Sequence, residues 1–325
     1  MKKLLILDFY AVFHRCRNAM KKSGRSFSTS DGIPTTGVFP FLSNVLAVIK
    51  EQEPTHVVCC YDAGGNQRKV ENKDYKANRK KNDDDFYTEA RILLDEALYA
   101  LGIECVGHKG YEADDCIWTL SHQARFGISR FDETIIFTCD QDLLACVGSK
   151  CKVLLFNSAK KQTMMGVEEV IEKWGCEPED IGWIKALSGD GSDNIKGVKG
   201  IGPKTALRIC EASEWNPDII LAHSKIRDDE ELVRTNLELV RLRRVTELGM
   251  VSMDDYLLGK GRLTDYEQFL SKYELSSLAK RVAKTAELCQ LVGSTTFGED
   301  YEKEIECNFG SSYESEIDSL CQSSN

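Results

Sequence analysis

The 325-residue sequence contains no apolar run approaching the roughly 18 residues of a membrane span. Lys2 and Lys3 precede an apolar stretch at residues 4–7, but Asp8 closes it after four residues, short of the ~7 to 15 that an export signal needs. Neither export nor membrane anchoring is expected. Thirteen cysteines are present, yet none is arranged as Cys-x-x-Cys, and several (Cys59, Cys139, Cys210) fall in apolar runs where a thiol behaves as a small hydrophobe. Reduced thiols and a cytoplasmic location follow as expectations. No internal repeat is visible, and no excess of positive charge: 42 Lys and Arg face 52 Asp and Glu, net −10. That total is dominated by residues 299–318, which hold eight acids and one base; the rest carries 41 bases and 44 acids. A near-neutral body leaves room for a basic patch and an acidic cleft on the same chain, so net charge excludes no polyanionic partner.

What is present is a globular composition, 42% apolar and 29% charged, long enough for one large domain or for a catalytic domain with a smaller helical one. Short apolar, β-branched runs at 4–7, 56–60, 134–138 and 153–156 alternate with helical patterns at 38–50, 91–101 and 114–124. This order predicts an α/β fold with a largely parallel central sheet flanked by helices. From about residue 176 the pattern is helical, over 180–187, 203–212, 230–244 and 265–284, and from 298 it becomes Ser- and acid-rich with the composition of a disordered tail. The expected division is therefore an α/β core at 1–175, a helical region at 176–297 and an acidic tail at 298–325.

Asp8, Asp62 and Asp140 stand just past three of the expected strands, where ligands of open α/β sheets bind. Glu112, Asp114 and Asp115 open a helix, Asp140 and Asp142 begin a helical turn, and Asp190 and Asp193 flank a Gly-Ser turn. Each group alone is explained by capping or turn formation. Together they gather up to nine carboxylates, and two such charges about 4 Å apart repel by roughly 4 kcal/mol at an effective dielectric of about 20. Cations are needed, and an all-oxygen donor set without His or Cys favours Mg²⁺ or Mn²⁺ over zinc. A two-metal arrangement that activates water against a phosphodiester is the chemistry such a set suggests.

Two further segments point to a nucleic acid. Gly197, Gly200 and Gly202 lead into Pro203 at a helix start, with Lys199 and Lys204 beside them, a backbone suited to close approach by phosphate. Residues 66–81 hold seven Lys or Arg against two acids and almost no apolar side chains, which predicts an exposed insertion above the acidic crevice. Within it Tyr75 could stack on an unpaired base, while Lys76 and Arg79 could neutralise a scissile phosphate.

The stretches 4–15, 57–79, 111–118, 138–143 and 187–206, above all Tyr-Glu-Ala-Asp-Asp at 111–115 and Gly-Asp-Gly-Ser-Asp-Asn-Ile at 189–195, resemble the 5′ nuclease family over about the first 210 residues. That family comprises flap endonucleases, the 5′ nuclease domain of bacterial DNA polymerase I and free-standing bacteriophage 5′ exonucleases. The resemblance implies that Asp8, Asp62, Glu112 and Asp114 surround a first metal, and that Asp115, Asp140, Asp142, Asp190 and Asp193 serve a second or its waters. It implies a helical arch at about 66–88 carrying Tyr75, Lys76 and Arg79, with Arg15 facing the crevice. Residues 197–206 (Lys199, Gly200, Gly202, Lys204) match a helix-hairpin-helix-like element that holds duplex and in some members coordinates K⁺. Phe9 departs from the glycine usual in polymerase-linked members and is expected to reshape the pocket near the 5′ end. No polymerase domain follows in this sequence, so the phage enzymes, working in a bacterial cytoplasm, are the better comparison.

The implied activity is a Mg²⁺-dependent 5′-3′ exonuclease or flap endonuclease, monomeric, acting on DNA with 5′ single-stranded ends, flaps or RNA primers during replication. The acidic tail is a candidate contact for a single-stranded-DNA-binding or clamp protein. The rival expectations are a catalytically silent DNA-binding scaffold at forks and a PIN-like ribonuclease.

Overall fold

The structure is a computed structural model that describes residues 1–127, 130–158, 161–249 and 252–294; the acidic tail lies outside the described residues. The first strand, β1 (Lys3–Asp8), is apolar on both faces, as a strand in the middle of a covered parallel sheet must be. Asp8 ends it and caps α1 (Phe9–Lys22), its carboxylate accepting from the Ala11 amide at 3.4 Å. Then come α2 (Val38–Gln52), β2 (His56–Cys60), the short α3 (Gln67–Glu71), α4 (Asp84–Arg91), which passes through a π-helical turn into α5 (Leu98–Ala100), β3 (Glu104–Val106), α6 (Ala113–Phe126) and β4 (Glu133–Thr138). β5 (Cys151–Ser158) and β6 (Lys161–Met165) complete the sheet, in the order β3-β2-β1-β4-β5-β6, with only β5–β6 antiparallel. The expected α/β class holds; the two short edge strands β3 and β6 were not among the expected runs.

Side chains alternate across this sheet strictly. Leu5, Leu7, Val57, Cys59, Ile135 and Phe137 enter one core, and Leu4, Ile6, Val58, Cys60 and Ile136 enter the other. The second core is covered by α6, α7 (Val167–Trp174), α8 (Ile181–Ser188), α9 (Pro203–Ala212), α10 (Pro217–Ala222) and α11 (Glu230–Val240), while a two-strand ladder, β7 (Gly189–Asp190) and β8 (Ile195–Lys196), joins α8 to α9 and places Ile195 in a separate small cluster. The first core is covered by α1, α2 and the last helices, α12 (Leu263–Lys272), α13 (Ser276–Ala279) and α14 (Val282–Cys289). The residues after 176 are thus shared between opposite faces of the sheet. Gly102 and Gly261 fix the return to the first face: a Cβ on Gly102 would lie 2.1 Å from the Gly261 amide, so only glycine permits that approach.

Three expectations are corrected. The helix expected over 230–244 stops at Val240, because Arg68 takes the carbonyls of Leu239 and Arg241, and the amides of Arg243 and Val245 donate to Asp115 and Thr119. The helix expected over 265–284 breaks at Glu274, which turns left-handed at φ 54°. Phe9 points away from any pocket: it is fully buried and packs on Tyr10, Phe13 and Phe41, with ring centroids 4.9–5.5 Å away. No helix among the described residues is long and apolar enough to cross a membrane.

Candidate active site

The parallel strands deliver their carboxyl ends to one edge, and the acids follow. Asp8 ends β1, and its second oxygen accepts from the Thr138 hydroxyl at 2.5 Å, tying it to the end of neighbouring β4. Asp62, two residues past β2, accepts from the Ala113 amide at 2.8 Å and so pins the start of α6. Asp140 lies two residues past β4; its amide donates to Thr138, and its carboxylate accepts from the Asp142 amide at 2.9 Å. Asp114 projects from the first turn of α6.

These four carboxylates make no ion pair with a described cation, and they influence one another. Burial, reinforced by Asp140 and Asp62 and only partly offset by the Thr138 hydrogen bond, raises Asp8 to about 7. Burial, with Asp140 and Asp8 adding repulsion, holds Asp114 well above the usual carboxylate range. Asp62, although its side chain is exposed, is raised by desolvation within the crevice and by Glu112, with the Ala113 amide, Lys76 and Arg79 acting in the opposite direction. The crevice is short of positive charge at these positions.

The other five acids are differently placed. Lys76 is bonded to Glu112 and lies 3.7 Å from Asp193. Arg79 donates to Asp193 at 2.7 Å, and Tyr75 donates its hydroxyl to Glu112 at 2.8 Å and to Asp193 at 3.2 Å. Glu112 is lowered, because Lys76, Arg68 and Tyr75 outweigh its burial. Lys185, on α8, is bonded to Asp142 and reaches Asp190 at 2.7 Å. Asp190 drops to about 2, its burial outweighed by Lys185 and Ser192. Asp115 is fully buried, with both oxygens at 2.7 Å from Arg68 and further bonds from the Glu112 and Arg243 amides.

The expected crowd of nine uncompensated carboxylates is therefore corrected to four without cations and five paired with Lys76, Arg79, Lys185 or Arg68. Among the described residues no three His, Cys, Asp or Glu side chains are gathered tightly enough to hold a metal ion. Asp115 lies in the scaffold, its valences spent on Arg68 and two amides.

Within the basic segment the correction is partial. Most of it is exposed, as expected, but Arg68, Tyr75 and Lys76 are buried, at 3%, 3% and 8% exposure. The Tyr75 ring packs with Ile195 and Leu239, leaving no free face for a base. Around it, the Lys76 amide donates to the Asp193 carbonyl, Asn78 to the Gly191 carbonyl and Asn194 to the Asp74 carbonyl. Composition alone misses this because the segment's counter-ions belong to other parts of the chain.

Arg15 reaches the Asn157 carbonyl at 2.9 Å and lies beside Cys139, so it stands at the rim of the crevice, next to Asp140. Lys199, Gly200 and Gly202 are exposed between the β7–β8 ladder and α9, with Gly200 at φ 82°, and Lys204 is exposed in the first turn of α9. A Cβ on Gly200 or Gly202 would meet nothing within 4 Å, so the backbone there is open to approach. Arg68 and Lys185 were not singled out in the sequence; Arg68 lies inside the resembling stretch at 57–79, whereas Lys185 falls two residues before the one at 187–206.

Residues 3–175 match the family described as 5′-3′ exonuclease, N-terminal resolvase-like domain. A 5′-3′ exonuclease of Aquifex aeolicus is 32% identical over 291 residues, covering 87% of this chain and 96% of that protein. A 5′-3′ exonuclease of Bacillus subtilis is 37% identical over 214 residues, covering 65% and 71%. DNA polymerase I of Caldicellulosiruptor bescii is 33% identical over 240 residues, which cover 73% of this chain but only 27% of the polymerase. Among solved structures, the fold is shared with a bacteriophage T5 5′-exonuclease with zinc ions bound (TM-score 0.59, 19% identity, 83% of this chain and 98% of that one). It is also shared with flap endonuclease-1 from Methanococcus jannaschii (TM-score 0.58, 18% identity, 89% and 93%).

Proposed function

Because the chain belongs to the 5′ nuclease family, we propose that this crevice hydrolyses phosphodiester bonds near the 5′ ends of DNA, by exonucleolytic trimming or flap cleavage. One observation carries the reading: Asp8, Asp62, Asp114 and Asp140 meet past the carboxyl ends of adjacent parallel strands without cations of their own, and repulsion and burial hold three of them above the usual range.

By chemistry, though not by the spacing of these side chains, the donor set suits divalent cations. The oxygens are hard, no His or Cys stands among them, and the charge deficit is of the sign a cation repairs, which favours Mg²⁺ or Mn²⁺. The residues that would hold such ions are Asp8, Asp62, Asp114 and Asp140, with Glu112, Asp142, Asp190 and Asp193 at the flanks. Two divalent ions, when bound, supply an ionised water for attack and neutralise charge on the leaving oxygen.

The remaining tasks fall to the chain's own groups. Burial would lower the Lys76 ammonium, but Glu112 and Asp193 raise it, so it enters the reaction fully charged. A phosphate in the crevice competes with Glu112 for that ammonium, while Arg79, half exposed, is free to turn toward the same anion. The turn at 197–206 offers open backbone and two exposed lysines to adjoining duplex, contacts that read shape and charge. Removal of RNA primers and 5′ flaps is the replication task this combination suits.

The test is a labelled 5′-flap duplex incubated with the purified chain in Mg²⁺ and in EDTA. Short 5′ products in Mg²⁺ alone are expected. Cleavage that persists in EDTA, or none in either condition, overturns the reading, and preference for unstructured RNA favours the PIN-like alternative.

A further inference from the structure

A stripe of aromatic side chains leaves the crevice along one face of α6. Asp114, Trp118, His122 and Phe126 follow one another at intervals of four and so share that face. The rings of Trp118 and His122 stack with centroids 5.2 Å apart, those of His122 and Phe126 lie 4.7 Å apart, and the Arg125 guanidinium sits 4.6 Å from the Phe126 centroid. His122 and Phe126 are exposed and Trp118 is half-buried, so the stack extends outward from the core. Burial, then Arg244 and Arg125, lower His122 from 6.5, which leaves its ring neutral at pH 7.

At its crevice end the stripe meets a cavity of about 330 Å³, lined by Trp118, by Trp183 of α8 and by Leu237 of α11. That volume is at the lower end for ligand sites, about 300–1,000 Å³, and suits one small flat group. Asp142 and Lys185 line the cavity too, and both belong to the crevice wall, so it adjoins the place where a phosphate would lie. Asp142 and Glu179 repel a phosphate from the cavity itself, whereas carboxylate oxygens accept from the exocyclic amino groups of bases. A single strand that brings a phosphate to the crevice carries an unpaired base one sugar away. We propose that the cavity seats that one nucleobase, stacked against Trp118 and Trp183, and so fixes how far the strand advances across the cation-free acids. Stacking of this kind accepts any base. The inference rests on the nuclease reading above, and base binding itself needs no metal ion.

The test is fluorescence anisotropy of the full chain with a labelled 5′-flap duplex in EDTA, repeated with an abasic site in place of each unpaired nucleotide next to the junction in turn. One abasic position is expected to weaken binding about tenfold, the loss of one stacked base, while its neighbours change it far less. Trp183→Leu and Trp118→Leu should each weaken the intact junction by a similar factor and lose nothing further at that abasic position, and Trp183→Phe should restore binding. Binding indifferent to every abasic site overturns the proposal. So does a folded Trp183→Leu variant that binds the intact junction like the unaltered protein, or that loses the same factor again on the abasic one. If neither leucine variant folds, the abasic scan of the unaltered protein decides. A chain that cleaves the flap in Mg²⁺ while failing these criteria loses the base site alone; one that neither binds nor cleaves it defeats the nuclease reading.

Discussion

Replacing Arg68 by Met removes the most heavily bonded cation of the site without removing much of its volume. Arg68 makes two bonds of 2.7 Å to Asp115, one of 3.3 Å to Glu112, and reaches the carbonyls of Leu239 and Arg241 at 3.0 and 2.8 Å. The dominant loss is the partner of Asp115, a carboxylate with no exposure. Breaking a buried pair from one side costs about 3–5 kcal/mol, a large part of the roughly 5–15 kcal/mol that holds a domain folded. With a urea slope near 3 kcal/mol per molar, the unfolding midpoint should fall by about 1 M or more. Adding Asp115→Asn removes the stranded charge and keeps an acceptor for one of the Glu112 and Arg243 amides, which bond opposite oxygens, so the double variant should regain part of the loss. A midpoint for Arg68→Met within about 0.2 M of the unaltered protein, or a double variant weaker than the single one, would refute the claim that this pair locks the basic segment to the scaffold.

Asp140→Asn should lower single-turnover flap cleavage by about 10²–10³-fold or more while junction affinity survives in a gel-shift assay; full turnover in Mg²⁺ removes Asp140 from the chemistry. Lys76→Ala should slow cleavage about a hundredfold while shifting duplex affinity far less, and equal losses in both would make it an ordinary phosphate contact. His56 is buried with an unpartnered Nε2, and burial followed by Lys2 lowers it from 6.5. The unfolded chain therefore takes up this proton first on acidification, so stability is full above pH 6.5 and declines as pH falls toward the lowered folded value. His56→Leu should flatten the urea-midpoint profile just below pH 6.5, and an unchanged slope would assign it to other groups.

The sheet was legible because its central strands are buried on both faces, and a run such as Leu4, Leu5, Ile6, Leu7 has few other uses. The edges β3 and β6 were not, since Glu104 and Lys161 are exposed and carry no apolar signature. The acids were legible as residues that follow strands, but their sorting into cation-free and cation-paired sets was not. That sorting depends on where Arg68, Lys76 and Lys185 end up, and each is decided by a partner 5 to 47 positions away. The same long-range pairing explains why three residues of a largely exposed segment with few apolar side chains are buried: Tyr75 enters a small cluster made by Ile195 and Leu239, far along the chain.

The position of β1 between β2 and β4 governs when this protein becomes an enzyme at all. Its neighbour on one side begins at Glu133, in register with Lys3, so a nascent chain must emerge past residue 138 before Asp8 finds the Thr138 hydroxyl that orients it. Contacts of such sequence separation form late. A ribosome-bound or truncated fragment lacking β4 thus carries Asp8 without the hydroxyl that orients it, while Asp62 is already pinned through the Ala113 amide.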